Sequence, residues 1–589
     1  MPNGSKTSSL YDRVSAKRLM ADVEALSRWV RLSGTPEELE AFKYVQGQLK
    51  RAGCKTTLIL HDAFISLPGP ASLLVTVRSD ETPTAIPCVT HSFSASTGDA
   101  AVSATACFAG DGTPADLECL RPGGKIAVVD GLATPDRVHA AERAGAAGLV
   151  CLNRDPLVHE MIVSPVWGSP ARDDLDRLPK IPVVSVAATD GDRLREIVKR
   201  GAVWVHLRTQ VDTGWRKTPI LIGDLEGTVE DTFVMLAGHI DSWYKGAMDN
   251  GTANATMLEV ARVLGGVKRY RGIRFAFWSG HSHGRYSGST WYVDHHWTEL
   301  NDRCVAHVNI DSVGGRGAVI NTHAWAMPET AGLADRVIQE VAGQRFLGGR
   351  VGRAGDQSFL GVGLPSLLMS LSEQPADSSD ASRDFNIRTG GATGGLGWWW
   401  HTTDDLPDKI DPEVLLRDAK IYVGIMHAFA TAPVIPLDYA AAARAWLKAL
   451  TDLPAAAGGY VDLKPVVAEA RRLVTAADAL ARTARAVAAR PTRQAARAVN
   501  AALMAMGRAL IPVGYTAAGR FHHDPALEQH GAPLLAATRA LGETAGDDAR
   551  HLAVQAQRDM NAVRFALRQA ADAAEMAVRD VKRPGRTRR

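Results

Sequence analysis

Leu236-Ala-Gly-His-Ile-Asp-Ser-Trp-Tyr-Lys-Gly-Ala-Met-Asp-Asn-Gly251 is the stretch on which the reading of this chain turns. The apolar run 232–237 reads as a buried strand, and polar residues begin where it ends. In open α/β sheets, ligands gather at the carboxyl ends of strands. His239 and Asp241 are two apart, so in extended chain both side chains point the same way. Asp249 follows just ahead of 251–264, where Ala253, Met257, Ala261 and Leu264 fall at helical spacing. A histidine and a carboxylate at a strand end, with a second carboxylate entering a helix, make a divalent-metal constellation. A polar turn with a capping aspartate is the other reading of the same residues.

Outward from this stretch, residues 215–435 alternate strand and helix as an α/β domain does. Ile273-Arg-Phe-Ala-Phe-Trp278 reads as a strand that ends in Ser279-Gly-His-Ser-His-Gly284. A strand over 305–310 ends at Asp311, and 365–371 is a further apolar run. A glycine-rich passage then leads to Trp398-Trp-Trp-His401-Thr-Thr-Asp-Asp405. Four strand or loop ends thus carry metal-type ligands: His239 with Asp249, His281 with His283, Asp311, and His401. A single buried histidine is usually a satisfied core residue; four such ends in one domain point to a site.

The flanks have different textures. Residues 10–55 carry helical patterning, and Thr35-Pro36-Glu-Glu is a helix start. From about 70 to 214 the pieces are short and β-rich: strands over 123–130, 145–152 and 181–186, and a helix over 137–144. Polar residues are scattered here and no catalytic cluster is visible, so the segment reads as structural or substrate-shaping. Beyond 436 alanine, arginine and leucine dominate, with helices expected over 439–450, 466–489, 494–510 and 549–581, packed as a bundle. Gly514-Tyr-Thr-Ala-Ala-Gly-Arg-Phe-His-His-Asp-Pro525 reads either as a plain connector or as a loop reaching back to a pocket. The tail from Lys582 reads as disordered.

With 589 residues the chain is long enough for several domains, and 46% apolar and 22% charged residues are ordinary for a soluble protein. A net charge of +3 gives no reason to expect a nucleic-acid or membrane-surface partner. The six cysteines are scattered without a CxxC, as in reduced core positions of a cytoplasmic protein. The polar amino terminus lacks an apolar run of signal-peptide type. No uncharged apolar run of about 18 residues is present, so no membrane span is expected.

Taken together, these motifs resemble the M28 metallopeptidase family, in the subgroup of glutamate carboxypeptidase II and the transferrin receptor. The carrying residues are Gly238-His-Ile-Asp-Ser-Trp243, Gly246-Ala-Met-Asp-Asn-Gly251, Phe275-Ala-Phe-Trp-Ser-Gly280, Asn309-Ile-Asp-Ser-Val-Gly314 and Trp400-His-Thr-Thr-Asp-Asp405. Arg31-Leu-Ser-Gly-Thr-Pro-Glu37 and Asp356-Gln-Ser-Phe-Leu-Gly-Val-Gly-Leu-Pro365 resemble two further elements of the family. The resemblance implies a mixed sheet sandwiched by helices over 1–69 and 215–435, a β-rich protease-associated insert over 70–214, and a helical domain over 436–589 that builds a homodimer. It implies zinc, in two ions: His239, Asp249 and Asp311 on one, with Asp249 bridging to a second held by His401. Asp241 would orient His239 from behind the metal. The implied chemistry is hydrolysis of a peptide or other amide bond by metal-activated water.

One departure stands out. The family has adjacent glutamates after the Phe-Trp strand, one the general base and one a zinc ligand; here the place reads Gly280-His-Ser-His-Gly284. Counting forward from Trp278 puts His281 at the base and Ser282 at the ligand position. Counting back from Gly288-Ser-Thr290 puts Ser282 at the base and His283 at the ligand. Histidine serves either role, and the preferred mechanism uses His281 and His283, one as ligand and one as base. Three readings stand: a zinc peptidase or amidohydrolase with a modified second-metal site, an altered centre acting on a small non-peptide amide, and a non-catalytic binding protein. Arg353, Arg383 and Arg388 are candidates for holding a substrate carboxylate, and Trp398, Trp399 and Trp400 for walling the pocket.

Overall fold

Two helices, α1 (Ala16–Leu26) and α2 (Pro36–Arg51), come first in the computed structural model, which describes residues 9–77, 82–121, 123–369, 371–383, 395–529 and 531–582. Thr35 caps α2 as its sequence predicts: its side chain accepts the Glu38 amide, and Pro36 fills the first position. The tail after Lys582 and Arg388 lie outside the described residues.

The next element is one that sequence reasoning missed. β1 (Lys55–Thr76) is a single 22-residue strand, and it pairs antiparallel with the equally long β8 (Trp204–Leu225). The pairing runs from Lys55 opposite Asp224 to Thr76 opposite Trp204, with one register shift between Pro68 and Ala71. The expected segment limits at 69/70 and 214/215 therefore fall inside a continuous ribbon. Between its arms lie β2 (Thr84–Ile86), β3 (Val89–Thr90), β4 (Val102–Phe108), β5 (Ile126–Asp130), α3 (Pro135–Arg143), β6 (Gly148–Leu152), β7 (Val183–Val186) and α4 (Ala188–Arg200). β4, β5, β6 and β7 are parallel, and β4 joins the ribbon through the amino-terminal end of β8.

The other end of β8 enters a second group of strands. β9 (Phe233–His239), α5 (Ala253–Gly265), β10 (Gly272–Trp278), α6 (Ser287–His295), α7 (Trp297–Arg303), β11 (Cys304–Asn309), α8 (Pro328–Ala342), β12 (Ser366–Leu367) and α9 (Pro412–Thr431) follow. β9 lies between β10 and β11, parallel to both, and β11 continues to β12. The apolar run expected over 365–371 supplies only two strand residues. Among the described residues all strands belong to one mixed 12-stranded sheet.

β9 shows why its sequence is apolar throughout. Val234 and Leu236 pack toward the helices α5 and α9, while Phe233, Met235 and Ala237 pack with Trp278, Tyr292 and Leu300 on the other face. A strand covered on both faces needs no polar alternation. Its first free polar side chain is His239, at the carboxyl end.

The remaining helices are α10 (Tyr439–Thr451), α11 (Lys464–Ala489), α12 (Arg493–Tyr515), α13 (Ala536–Ala540) and α14 (Gly546–Lys582). Among the described residues one helix, Arg493–Tyr515, is long and apolar enough to cross a membrane by length and composition, which the search for an uncharged run did not flag. Here it buries Val499, Leu503, Met506 and Leu510 in the core. A second correction concerns the cysteines: Cys107 and Cys119 form a disulfide, while Cys54, Cys88, Cys151 and Cys304 are free.

Candidate metal centre

The centre is assembled where β9, β10 and β11 end. His239 closes β9, and its orientation is fixed by a hydrogen bond from Nδ1 to the carbonyl oxygen of Asp241 at 2.9 Å. That bond leaves Nε2 as a lone pair, and Nε2 faces only acceptors: Asp249 Oδ1 at 3.1 Å and Asp311 Oδ1 at 3.6 Å. His401 repeats the arrangement. Its Nδ1 donates to the carbonyl of Glu160 at 2.8 Å, so Nε2 turns its lone pair on Asp249 Oδ2 at 2.9 Å. Asp249 thus stands between two imidazoles, one on each carboxylate oxygen. His239 Nε2 and Asp249 Oδ1 are both buried without a hydrogen-bond donor. Acceptors that converge in a buried space are satisfied by a positive charge between them, either a proton on the imidazole or a metal ion.

The electrostatics agree. Burial would push the His239 imidazolium down, but the charge of Asp311 and hydrogen bonds to Asp241, Asp249 and Asp311 hold it far above its usual range. Burial would likewise raise Asp249, yet His239 and His401 drive it well below the carboxylate range. Asp241 is also held low against its burial, by His239, His281 and His283. Positive charge is strongly favoured here.

The loop after β10 divides its two histidines. His281 lies flat on the His239 ring, with centroids 3.7 Å apart, and its Nδ1 pairs with Asp356 Oδ2 at 2.9 Å. Its Nε2 points toward Asp311 Oδ2, 4.0 Å away. One ligand atom from each of His239, His281 and Asp311 lies within 4.8 Å of the others. His283 sits deeper. Its Nδ1 meets Ser33 Oγ at 3.1 Å and Asp241 Oδ2 at 3.9 Å, and its Nε2 is buried with no partner. The Trp243 ring packs against both His283, at 4.6 Å, and His401, at 5.4 Å. Burial, reinforced by the neighbouring histidines, pushes His283 down to about 4, so its ring is neutral. Ser282 uses its amide on Asp241 Oδ2 at 2.8 Å, while its hydroxyl is buried without a partner.

Asp241 therefore acts as a hub, accepting from the Ser33 hydroxyl and from the His281 and Ser282 amides. Arg31, fully buried, donates to the carbonyls of Leu26, Ile240, Lys245 and Gly246 and so ties down the loop that carries Asp241. Gly246 turns that loop at φ +52°, where a Cβ would land on the Asp249 carbonyl and on Ser242. Asp405 accepts the Met248 and Asp249 amides at 2.8 and 3.0 Å. Burial pushes it up to about 7. Ser312 and His401 hold left-handed backbone at φ 48° and 60°, a conformation that costs energy for non-glycine residues and clusters at functional sites.

The other expected pocket groups fare differently. Trp400 stacks on His401 at 3.6 Å, and Trp399 is buried. Arg353 lies over the Trp167 ring and donates to the Asp524 carbonyl, and Arg383 is 3.7 Å from Asp111, so neither is poised as a free carboxylate clamp. The 514–525 loop does reach back: beyond Asp524, Ala526 packs with Trp167 and Tyr286, and Tyr286 stands edge-on to His281. Sequence reasoning missed Asp155, His159 and Glu160, which lie in the 70–214 segment where polar residues looked isolated. They are turned inward instead, onto the 400–401 turn. The partners of His159 and Glu160 on that turn lie 241 residues away, so no local signal marks them.

Comparison with known proteins gives the class. The model described as "Peptidase family M28" matches residues 221–426, and the PA domain model matches residues 95–194. Over these residues the chain is similar to peptidase family M28 and to the PA domain. Among curated relatives, a probable glutamate carboxypeptidase of Zea mays is 27% identical over 358 residues, 50% of each chain. The aminopeptidase NAALADL1 of Mus musculus is 34% identical over 116 residues, 18% of this chain and 15% of its own. The chain thus spans half the length of the maize relative or less of the mouse one. Among solved structures, a peptidase M28 precursor from Shewanella amazonensis superposes with a TM-score of 0.57 at 20% identity, over 74% of this chain and 98% of the other. A zinc aminopeptidase from Bacillus subtilis gives 0.55 at 21%, over 71% and 96%. These two likenesses concern the fold.

Proposed function

We propose that this chain is a zinc-dependent hydrolase of peptide or other amide bonds, with a histidine-modified second-metal and base site. The observation that carries this reading is Asp249, flanked at 3.1 and 2.9 Å by two imidazole nitrogens whose other nitrogens are already committed as donors. The match of residues 221–426 to the M28 family model supports zinc as the ion. His239, Asp249 and Asp311 would hold one ion; Asp249 and His401 would hold a second, with His283, packed on the same Trp243 ring as His401, as its proposed further ligand. His283 is favoured over Ser282 because a neutral, buried and unpartnered imidazole nitrogen is a better zinc donor than a serine hydroxyl. Zinc bound here would polarise the substrate carbonyl and acidify the attacking water.

The chain's own residues then do the proton work. His281 takes the water's proton at Nε2, in the place of the missing glutamate. Asp356, on Nδ1, fixes the tautomer that leaves Nε2 free and stabilises the imidazolium that forms. Asp241 keeps the His281 and Ser282 backbone in place and faces His239 from behind.

The same proposal divides the chain into a hydrolase domain (1–69 and 215–435), a protease-associated insert (70–214) and a helical domain (436–589) that forms a homodimer. Small peptides are the proposed substrates, since the relatives include both carboxypeptidases and aminopeptidases. A screen of short peptides and N-acyl amides, with and without chelator, tests the reading: turnover abolished by chelator and restored by zinc supports it. The absence of both glutamates favours a second reading, a binding protein without turnover. That reading expects no zinc-dependent cleavage of any member of the panel.

A further inference from the structure

The 153–160 segment of the insert carries a group of buried polar side chains that the mechanism above leaves unused. Asn153, Asp155 and His159 are all buried, at 1%, 5% and 0% exposure. They form a chain of hydrogen bonds that ends on the metal site. The Asn153 side-chain oxygen accepts the His159 amide at 3.0 Å, while its amide group donates to the Gly131 carbonyl. His159 Nε2 meets Asp155 Oδ2 at 2.7 Å, and Nδ1 meets the Trp400 carbonyl at 2.5 Å. The next residue closes the contact twice over: the Glu160 amide donates to the His401 carbonyl at 2.9 Å, and the Glu160 carbonyl accepts from His401 Nδ1 at 2.8 Å. Asp155 also accepts the Asp380 amide at 2.9 Å, which ties the same segment to the chain ahead of the tryptophans.

We propose that the second metal half-site is built by two domains, with Asp155 and His159 as positioning residues that hold His401 through the 400–401 backbone. The inference rests on the reading of His401 as a zinc ligand. The hydrolase segment carries His401 on a turn with left-handed backbone at φ 60°, and the bond that fixes its ring tautomer comes from the insert. Without the insert's three contacts at 400–401, the imidazole has no partner that keeps Nε2 on Asp249. Hydrogen-bond partners behind a metal ligand set its orientation and basicity, and their loss weakens binding about 10–100-fold. The insert therefore does more than shape the substrate's path.

The test is zinc competition against a graded chelator on the full-length chain, resolved into two binding steps. Asp155→Asn and His159→Leu are expected to weaken one step about 10-fold or more and leave the other unchanged. His159→Asn, which returns an N–H near the place of Nδ1, is expected to recover most of the loss. In a chain already carrying His401→Ala, Asp155→Asn is expected to add nothing. Two wild-type steps in a folded Asp155→Asn variant would overturn the proposal, as would equal weakening of both. If His159→Leu does not fold, Asp155→Asn against His159→Asn decides the matter. A wild-type chain without zinc fails the hydrolase reading instead, which keeps the two failures apart.

Discussion

His281 lies parallel to His239, the planes 13° apart and the centroids at 3.7 Å, with Asp356 on its far nitrogen. Two stacked imidazoles in a buried site do not both carry charge comfortably. His281 Nε2 is turned toward Asp311, where a proton acceptor is needed, and Asp356 would offset the charge gained during the reaction.

Asp356→Asn tests that arrangement. The asparagine keeps the shape but loses the charge and can favour the wrong tautomer of His281. We expect kcat to fall about 100-fold or more, with zinc content and KM close to wild type. A kcat within twofold of wild type would remove Asp356 from the account.

Arg31 offers a prediction on stability. Its guanidinium serves the carbonyls of Leu26, Ile240, Lys245 and Gly246 in a fully buried position. Arg31→Met leaves these acceptors without donors, which costs about 3 kcal/mol or more in urea unfolding. Arg31→Lys is expected to recover little, because an ammonium cannot span the same fork of acceptors.

Glu329 gives a pH dependence away from the metals. It is buried with Oε1 unpartnered, and burial pushes it up to about 7. An unfolded glutamate titrates near about 4.3. The folded state thus holds the proton more tightly, so its contribution to stability is full below about 4.3 and is lost as pH rises to about 7. Glu329→Gln should raise Tm at pH 8 relative to wild type and change it little at pH 4. Equal shifts at both pH values would refute the assignment.

Much of this was readable in the sequence because its signals are local. β9 ends at His239 where its apolar run stops, and Thr35-Pro36 starts its helix at the expected place. The ribbon of β1 and β8 was not readable: Pro68, Gly69 and Pro70 look like a break, yet the strand carries them past a register shift because its partner supplies the pairing. The contact of His159 and Glu160 with the 400–401 turn escaped for a related reason. Its chemistry exists only when two segments far apart in sequence are folded together. The pairing of His281 with Asp356 was likewise hidden, although each residue lay in a motif already singled out.

Zinc content per chain, measured on wild type, His281→Ala and His283→Ala, bears most directly on the proposed site. Two ions in wild type and in His281→Ala, with one in His283→Ala and no turnover in His281→Ala, is the predicted result. No tightly held zinc in wild type, or two ions retained by His283→Ala, would contradict it.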